Sequence, residues 1–433
     1  MRLHSAFLGG WVHPADVFVQ FFANEPNAFW LDGEHSPNGR FSIMGTGPLV
    51  DIAQDRESSQ IAESLGSLHN QNSLELPFNW RPGLVGFLTY EGEPKFILAD
   101  RAIVFDHENQ GLYFVGAFEA ETDFDYWHHA ALLRLGFAGG QVASYLYERA
   151  LVGVAERPEV RHDPTSYLSM IETAQQHIAA GDVYQICLTN EILVETVQDP
   201  LAVFLRLRQI NPAPYSAFIR VEGVSLASSS PEQFIQVSKT GEISTKPIKG
   251  TRPRGDSIVE DRAIAEKLQR DPKERAENLM IVDLMRNDIG RVSEVGSVSV
   301  PKLFDIESYA TVHQLVSTVA GRLAEGETAW SAVQAAFPGG SMTGAPKIRA
   351  MELIEELERG PRGIYSGCVG YLGADGSAEF AMVIRSIVFE AETARIGVGG
   401  GITIDSNPAS ELEETKLKAM ALLNALNATD PWA

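Results

Sequence analysis

Apolar positions along the chain follow two rhythms, and the first third shows mostly the shorter one. Residues 41–52 and 83–90 are short apolar runs rich in glycine. Residues 102–105 and 112–118 flank a polar Asp106-His107-Glu108-Asn109-Gln110-Gly111, which predicts a hairpin. Residues 122–135 instead carry Phe124, Trp127, Ala131 and Leu135 at helical spacing, which predicts a helix packed on a core rather than a cofactor box. The segment 154–164, with charged residues and two prolines, reads as a linker between an N-terminal portion, 1–155, and a second portion, 165–428.

Beyond the linker the longer rhythm takes turns with strands. Pro164 can open a helix that runs through Tyr167, Ile171, Ala174 and Ile178 and stops at Gly181. A strand over 182–196, an amphipathic helix over 199–210 and further strands over 215–236 follow, the last interrupted at Ser228-Ser229-Ser230-Pro231-Glu232. A strand-like run, 241–248, is then expected to stop at a Lys249-Gly250-Thr251 corner, and an Asp-Pro opening starts a helix over 271–288. An apolar strand over 396–398 is expected to end at Gly399-Gly400-Gly401, and the last helix carries 410–418 on toward Leu422 and Ala425.

Length and charge narrow the function. A chain of 433 residues can bury a large core. Its net charge of −22 argues against nonspecific binding to nucleic acid or anionic membranes, so an anionic ligand would need local cations or a metal. Cys187 and Cys368 lie far apart and form no Cys-x-x-Cys pair, which suits a reducing cytoplasm. The N-terminus reads as a poor signal peptide, and no run of eighteen apolar residues exists to span a membrane.

The chemistry clusters around residues 244–255. Lys249, delivered where a strand ends, is either a solvated surface lysine or a nucleophile whose neutral amine attacks carbon, with Arg252 and Arg254 as local cations. Glu277 shares a helical stripe with Ile281 and Leu284, so it either points at the packed side and needs a cation or reaches solvent at the stripe's edge. Glu411, Glu414 and Lys418 share a face of the last helix; they are either a solvated Glu-to-Lys ion pair, or the two glutamates join Glu274 and Glu277 as oxygen donors suited to Mg²⁺. Residues 339–347 are no nucleotide loop, because Lys347 does not follow Gly344 directly and Ile348 stands where Ser or Thr is required. Gly399-Gly400-Gly401 can bind a carboxylate through its amides or merely allow close strand packing.

Six separated motifs resemble those of the chorismate-utilising enzymes, in that family's order. They are Gly181-Asp182-Val183-Tyr184-Gln185, Ser230-Pro231-Glu232, Pro247-Ile248-Lys249-Gly250-Thr251, Glu274-Arg275-Ala276-Glu277-Asn278, Gly344-Ala345-Pro346-Lys347 and the segment 411–418. The resemblance covers 165–428 strongly and the first third weakly, through residues 83–90. It implies an α+β fold of two large antiparallel β-sheets packed as a sandwich with flanking helices, formed by both portions as one intertwined unit.

Within that family, Pro-Ile-Lys-Gly-Thr is similar to the branch that aminates chorismate at C4, whereas the anthranilate-forming branch carries Ala at the lysine position. The resemblance therefore implies formation of 4-amino-4-deoxychorismate, the precursor of p-aminobenzoate, with anthranilate formation as the alternative. It implies Lys249 as nucleophile and Glu232 as acid. Glu277 and Glu414 would be Mg²⁺ ligands, with Glu274 and Glu411 as outer partners. Thr251, His313, Ser341, Tyr365, Arg385, Gly401 and Lys418 would contact substrate, although taken singly His313 also reads as a satisfied core histidine and Tyr365 as a core aromatic. Gln185 stands where isochorismate-forming members place a lysine base, so activation of water at C2 is not expected. The nearest place to the family's tryptophan-feedback element reads Trp30-Leu31-Asp32-Gly33, a poor copy. Neither cysteine lies in a Gly-x-Cys-x-Gly elbow, so ammonia is expected from a separate glutamine amidotransferase subunit or from free ammonium.

Overall fold

In the computed structural model, residues 1–34, 40–52, 57–68, 74–149, 158–309 and 312–432 are described. Among them, strands form two antiparallel sheets, one of twelve strands and one of ten. Both sheets draw on the whole chain. The first runs from Arg2–Gly9 at one end, through Phe41–Thr46 and Ala28–Asp32, to Tyr215–Val221, Val224–Ser230, Thr393–Ile402, Gln185–Glu195 and the short Gly344–Ala345 at the other. The second runs from Leu49–Val50 through Gly83–Leu88 and Cys368–Gly373 to Val312–Arg322 and Ile248–Pro253.

Alternation along these strands explains why they read as unbroken apolar runs. Phe29, Ile43, Val104 and Ile219 of the first sheet and Val85, Phe87, Ile97 and Tyr371 of the second share one buried cluster between the sheets. Their neighbours Trp30, Met44, Phe105 and Phe218 point the other way, into a cluster completed by the helices Pro14–Phe22, Pro200–Ile210 and Pro408–Ala425. Leu84, Phe96 and Phe380 likewise pack outward against the helices Pro272–Gly290 and Ala329–Ala336. A strand covered on both faces has no solvent side on which to place polar residues.

Most expected elements are present. Leu112 pairs with Phe105 in the hairpin, Glu121–Leu135 is a helix, and Pro164–Ala180 is capped by Asp163 and ends at Gly181 with φ +84°. The linker reading over 154–157 lies outside the described residues. Among the described residues no helix is long and apolar enough to cross a membrane.

Two expectations at the site are corrected. The strand expected to end at Lys249 breaks earlier, after Glu242–Thr245, and chain pairing resumes at Ile248–Pro253 with a register shift between Lys249 and Thr251. Gly250 forms that bulge with φ +78°, and a Cβ there would meet the Glu274 carboxylate at 2.9 Å, so glycine serves both the turn and the close approach. Thr393–Ile402 does not end at Gly399 but runs through all three glycines.

The helix Pro272–Gly290 starts as read, with the Asp271 side chain accepting from the Lys273 and Glu274 amides at 3.0 and 3.3 Å. Asp271→Ala should therefore cost about 1 kcal/mol, measured as a fall in the urea midpoint of unfolding; an unchanged midpoint would show that the cap contributes nothing.

Candidate active site

The far ends of the two sheets meet at one crevice. From the first sheet, Gln185 opens Gln185–Glu195, and the pairing of that strand with Thr393–Ile402 sets Cys187 opposite Gly401. From the second, Lys249 pairs with Leu315 and Arg252 with His313. A Cβ placed on Gly401 would lie 3.1 Å from Lys249 Nζ and 2.3 Å from Gln185 Nε2. Lys249 Nζ thus lies against bare backbone beside the Gln185 amide, in space that any side chain at 401 would take. Gln185 is buried and its Oε1 is without a hydrogen-bond partner.

Glu232 stands at the bend between Val224–Ser230 and Gln233–Val237 and is buried. Removal from water raises its pKa to about 7, against the opposing pull of the Ser341 hydroxyl, the Lys249 ammonium and the Ile248 N–H. A carboxyl there is held close to half-protonated at neutral pH, in electrostatic reach of the lysine.

The glutamates on the two helices gather beyond Lys249. Glu277 is largely buried and its Oε1 is without a hydrogen-bond partner. Burial raises its pKa, with Lys249 and Lys273 opposing and Glu274 and Glu411 adding to the rise. Glu411 accepts from Ser406 Oγ at 2.8 Å, and Glu274 accepts from Arg252 at 3.1 Å. Glu414 is exposed and ion-paired with Lys418 at 2.8 Å; partial desolvation works to raise its pKa, but Lys418, Lys273 and Lys249 together hold it below the usual carboxylate range. Lys273 Nζ lies 3.8 Å from Glu277 and 3.6 Å from Glu411, so its ammonium sits amid the cluster. Among the described residues no three His, Cys, Asp or Glu side chains lie close enough together, as they stand, to hold a metal ion. A donor set made only of carboxylate oxygens, with Glu277 Oε1 accepting no hydrogen bond, is nevertheless of the kind that suits a hard divalent cation.

The remaining predicted residues divide. Tyr365 is buried with its ring flat on Gly397, where a Cβ would come within 2.1 Å of it, and burial raises its phenol pKa. Arg385 has φ +53° and makes no ion pair among the described residues; burial lowers its pKa while Tyr365 and Glu414 oppose the fall. Lys418 donates to the Gly399 carbonyl at 2.7 Å. Thr251 is exposed on the bulged strand. His313 is buried with both ring nitrogens engaged, Nδ1 with Ser308 Oγ and Nε2 with Asp261, each at 2.8 Å. Lys273 was not among the expected site residues, although its spacing one helical turn before Glu277 signals the pair.

This part of the molecule therefore brings together an amine, a buried carboxyl and carboxylate oxygens, with Arg385 and Lys418 in electrostatic reach of Glu414. The sequence model described as chorismate binding enzyme matches residues 26–424, and the chain belongs to that family. The chain is 42% identical to an aminodeoxychorismate synthase of Streptomyces griseus, over 96% of this chain and 63% of that protein. It is 33% identical to anthranilate synthase component 1 of Geobacillus stearothermophilus, over 98% of this chain and 93% of that one. The crystal structure of anthranilate synthase component I from Streptococcus pneumoniae superposes with a TM-score of 0.71 at 32% identity, covering 89% of this chain and 92% of that one. The chain thus spans about 63% of the length of the Streptomyces griseus relative.

The raised pKa of Glu232 has a stability consequence of definite sign. The folded state keeps a proton that the unfolded chain releases, so this group's contribution is intact below about pH 4.5 and is lost as pH rises through about 7. Relative to wild type, Glu232→Gln should gain stability between pH 5 and pH 8, by up to about 3 kcal/mol, in urea titrations at the two pH values. A difference independent of pH would mean that Glu232 is ionised like a surface carboxylate.

Proposed function

We propose that the chain converts chorismate and ammonia to 4-amino-4-deoxychorismate and water. The observation that carries this reading is Lys249, in its Pro-Ile-Lys-Gly-Thr setting, with its amine against Gly401 and facing Glu232. The relatives named aminodeoxychorismate synthase support it.

On this reading the neutral Lys249 amine attacks C2 of the ring, the double bonds shift, and the C4 hydroxyl departs as water with the proton of Glu232. Ammonia then attacks C4, the double bonds return, and Lys249 leaves with its nitrogen; the proton released by ammonia restores Glu232. Two displacements replace one difficult one, and Lys249 blocks the carbon at which the anthranilate reaction places nitrogen. Glu277 and Glu414, backed by Glu274 and Glu411, would hold Mg²⁺, which supplies positive charge for the ring carboxylate. Arg385 and Lys418 offer cations to the substrate's carboxylates, while Ser341, Tyr365, Thr251 and the Gly401 amide line the crevice. His313 meets substrate through its ring face or after Asp261 releases Nε2. The nitrogen is ammonia, delivered by a glutamine amidotransferase or free in solution.

Anthranilate formation is the second reading, because anthranilate synthase component 1 of Geobacillus stearothermophilus matches over 93% of its length. Product analysis separates the two. With chorismate, Mg²⁺ and ammonium, mass spectrometry and fluorescence should find p-aminobenzoate only when a 4-amino-4-deoxychorismate lyase is added; anthranilate without the lyase would overturn the proposal. Lys249→Ala should abolish amination. Glu232→Gln, which cannot supply a proton, should slow it by about 10²- to 10⁴-fold.

A further inference from the structure

The most completely satisfied polar group near the crevice is one that the reaction as written does not use. Arg362 is buried, and its side chain is 2% exposed. Each of its five N–H groups has an acceptor. Nε donates to Glu358 Oε2 at 2.9 Å. One terminal nitrogen donates to the Met342 carbonyl at 2.6 Å and to Ser366 Oγ at 3.4 Å. The other donates to the Cys187 carbonyl at 2.8 Å and to Glu358 Oε1 at 2.6 Å. The face of the guanidinium lies 4.5 Å from the centre of the Tyr90 ring.

The partners matter more than their number, because each lies next to a crevice group. Met342 follows Ser341, the hydroxyl bonded to Glu232. Cys187 pairs across the sheet with Gly401, on which the Lys249 ammonium rests. Ser366 follows Tyr365. Glu358, held by the arginine, accepts from the Thr189 amide at 2.7 Å and so fastens the same strand a second time. The arginine's own backbone is tied to the other sheet: its N–H donates to Glu91 at 2.9 Å, and the Tyr90 N–H donates to the Gly363 carbonyl at 2.7 Å, just beyond Gly83–Leu88.

We propose that Arg362 is a positioning residue that sets the spacing between the two sheets at the crevice, holding the Ser341–Glu232 pair and the Gly401 backbone in register with Lys249. The inference rests on the proposed reaction for the roles of Glu232 and Lys249. Its physical basis is the planar fork of the guanidinium. A lysine keeps the positive charge opposite Glu358 but offers three donors from one point and cannot reach the Met342 carbonyl, the Cys187 carbonyl and both glutamate oxygens together. A buried ion pair alone would need only charge; five directed donors to four residues fix geometry.

Arg362→Lys and Tyr90→Leu test this, the second removing only the ring beneath the guanidinium. Turnover is read as kcat and KM for whichever product wild type forms from chorismate, so that product identity judges the proposed reaction and the variant-to-wild-type ratio judges Arg362. Arg362→Lys should lower kcat on the order of 10²-fold, as a displacement of about 1 Å does, with KM for chorismate nearly unchanged. Tyr90→Leu should lower kcat in the same sense and by less. Both are measured per folded molecule, with chorismate binding followed by calorimetry. A kcat per folded molecule equal to wild type in both variants, with any loss explained by a smaller folded fraction, would overturn the proposal and leave Arg362 a structural residue. Should Arg362→Lys fail to fold, Tyr90→Leu decides alone by the same criterion.

Discussion

The crowding of carboxylates at one crevice is the constraint on which the rest of this structure depends. Glu232, Glu274, Glu277, Glu411 and Glu414 come from three elements, and a chain of net charge −22 supplies no general positive field to offset them. Two physical answers coexist. Burial raises the Glu232 pKa to about 7, which brings it to the range in which it can give up a proton. The helical glutamates are balanced instead by ammonium and guanidinium groups at short range: Lys273 between Glu277 and Glu411, Lys418 on Glu414 and Arg252 on Glu274. Lys249 faces both populations, and this sets it apart from the other cations of the crevice.

That arrangement needs the ends of two sheets to be brought together and kept there. The sandwich core between the sheets does the first, with Phe29, Ile43, Val85, Phe87 and Ile97 interleaved. Glycine does the second at close quarters, since Gly250, Gly397 and Gly401 each lie where a Cβ would enter space held by Glu274, Tyr365 or Lys249 and Gln185. The Arg362 fork ties the loops around this space, so the geometry of the reacting groups follows from backbone anchored some distance away.

How much of this was legible in the sequence follows from which forces are local. The helix over 164–180 could be read because its signals are short-range: Asp163 and Pro164 at one end, Gly181 at the other. The same holds for Asp271 and Pro272. The pairing of strands could not be read from the residues, because runs buried on both faces carry no alternation to report which face is which, as at 83–88. The sandwich came from family resemblance. Lys249 was singled out but placed at a strand end, whereas it lies within Ile248–Pro253 beside the bulge at Gly250, which packs against the distant Glu274. Gln185 takes its meaning from Gly401, and Arg362 from the Met342 and Cys187 carbonyls, at separations that no local pattern records.

The central claim is that Lys249 itself bonds to the substrate. The most direct test is to mix the protein with chorismate and Mg²⁺ in the absence of ammonia, quench rapidly and map the mass of the protein by peptide. The account predicts a species heavier by chorismate less one water, located on Lys249 and discharged when ammonium is added. Amination proceeding at full rate with no such species, or with the added mass on another residue, would contradict it.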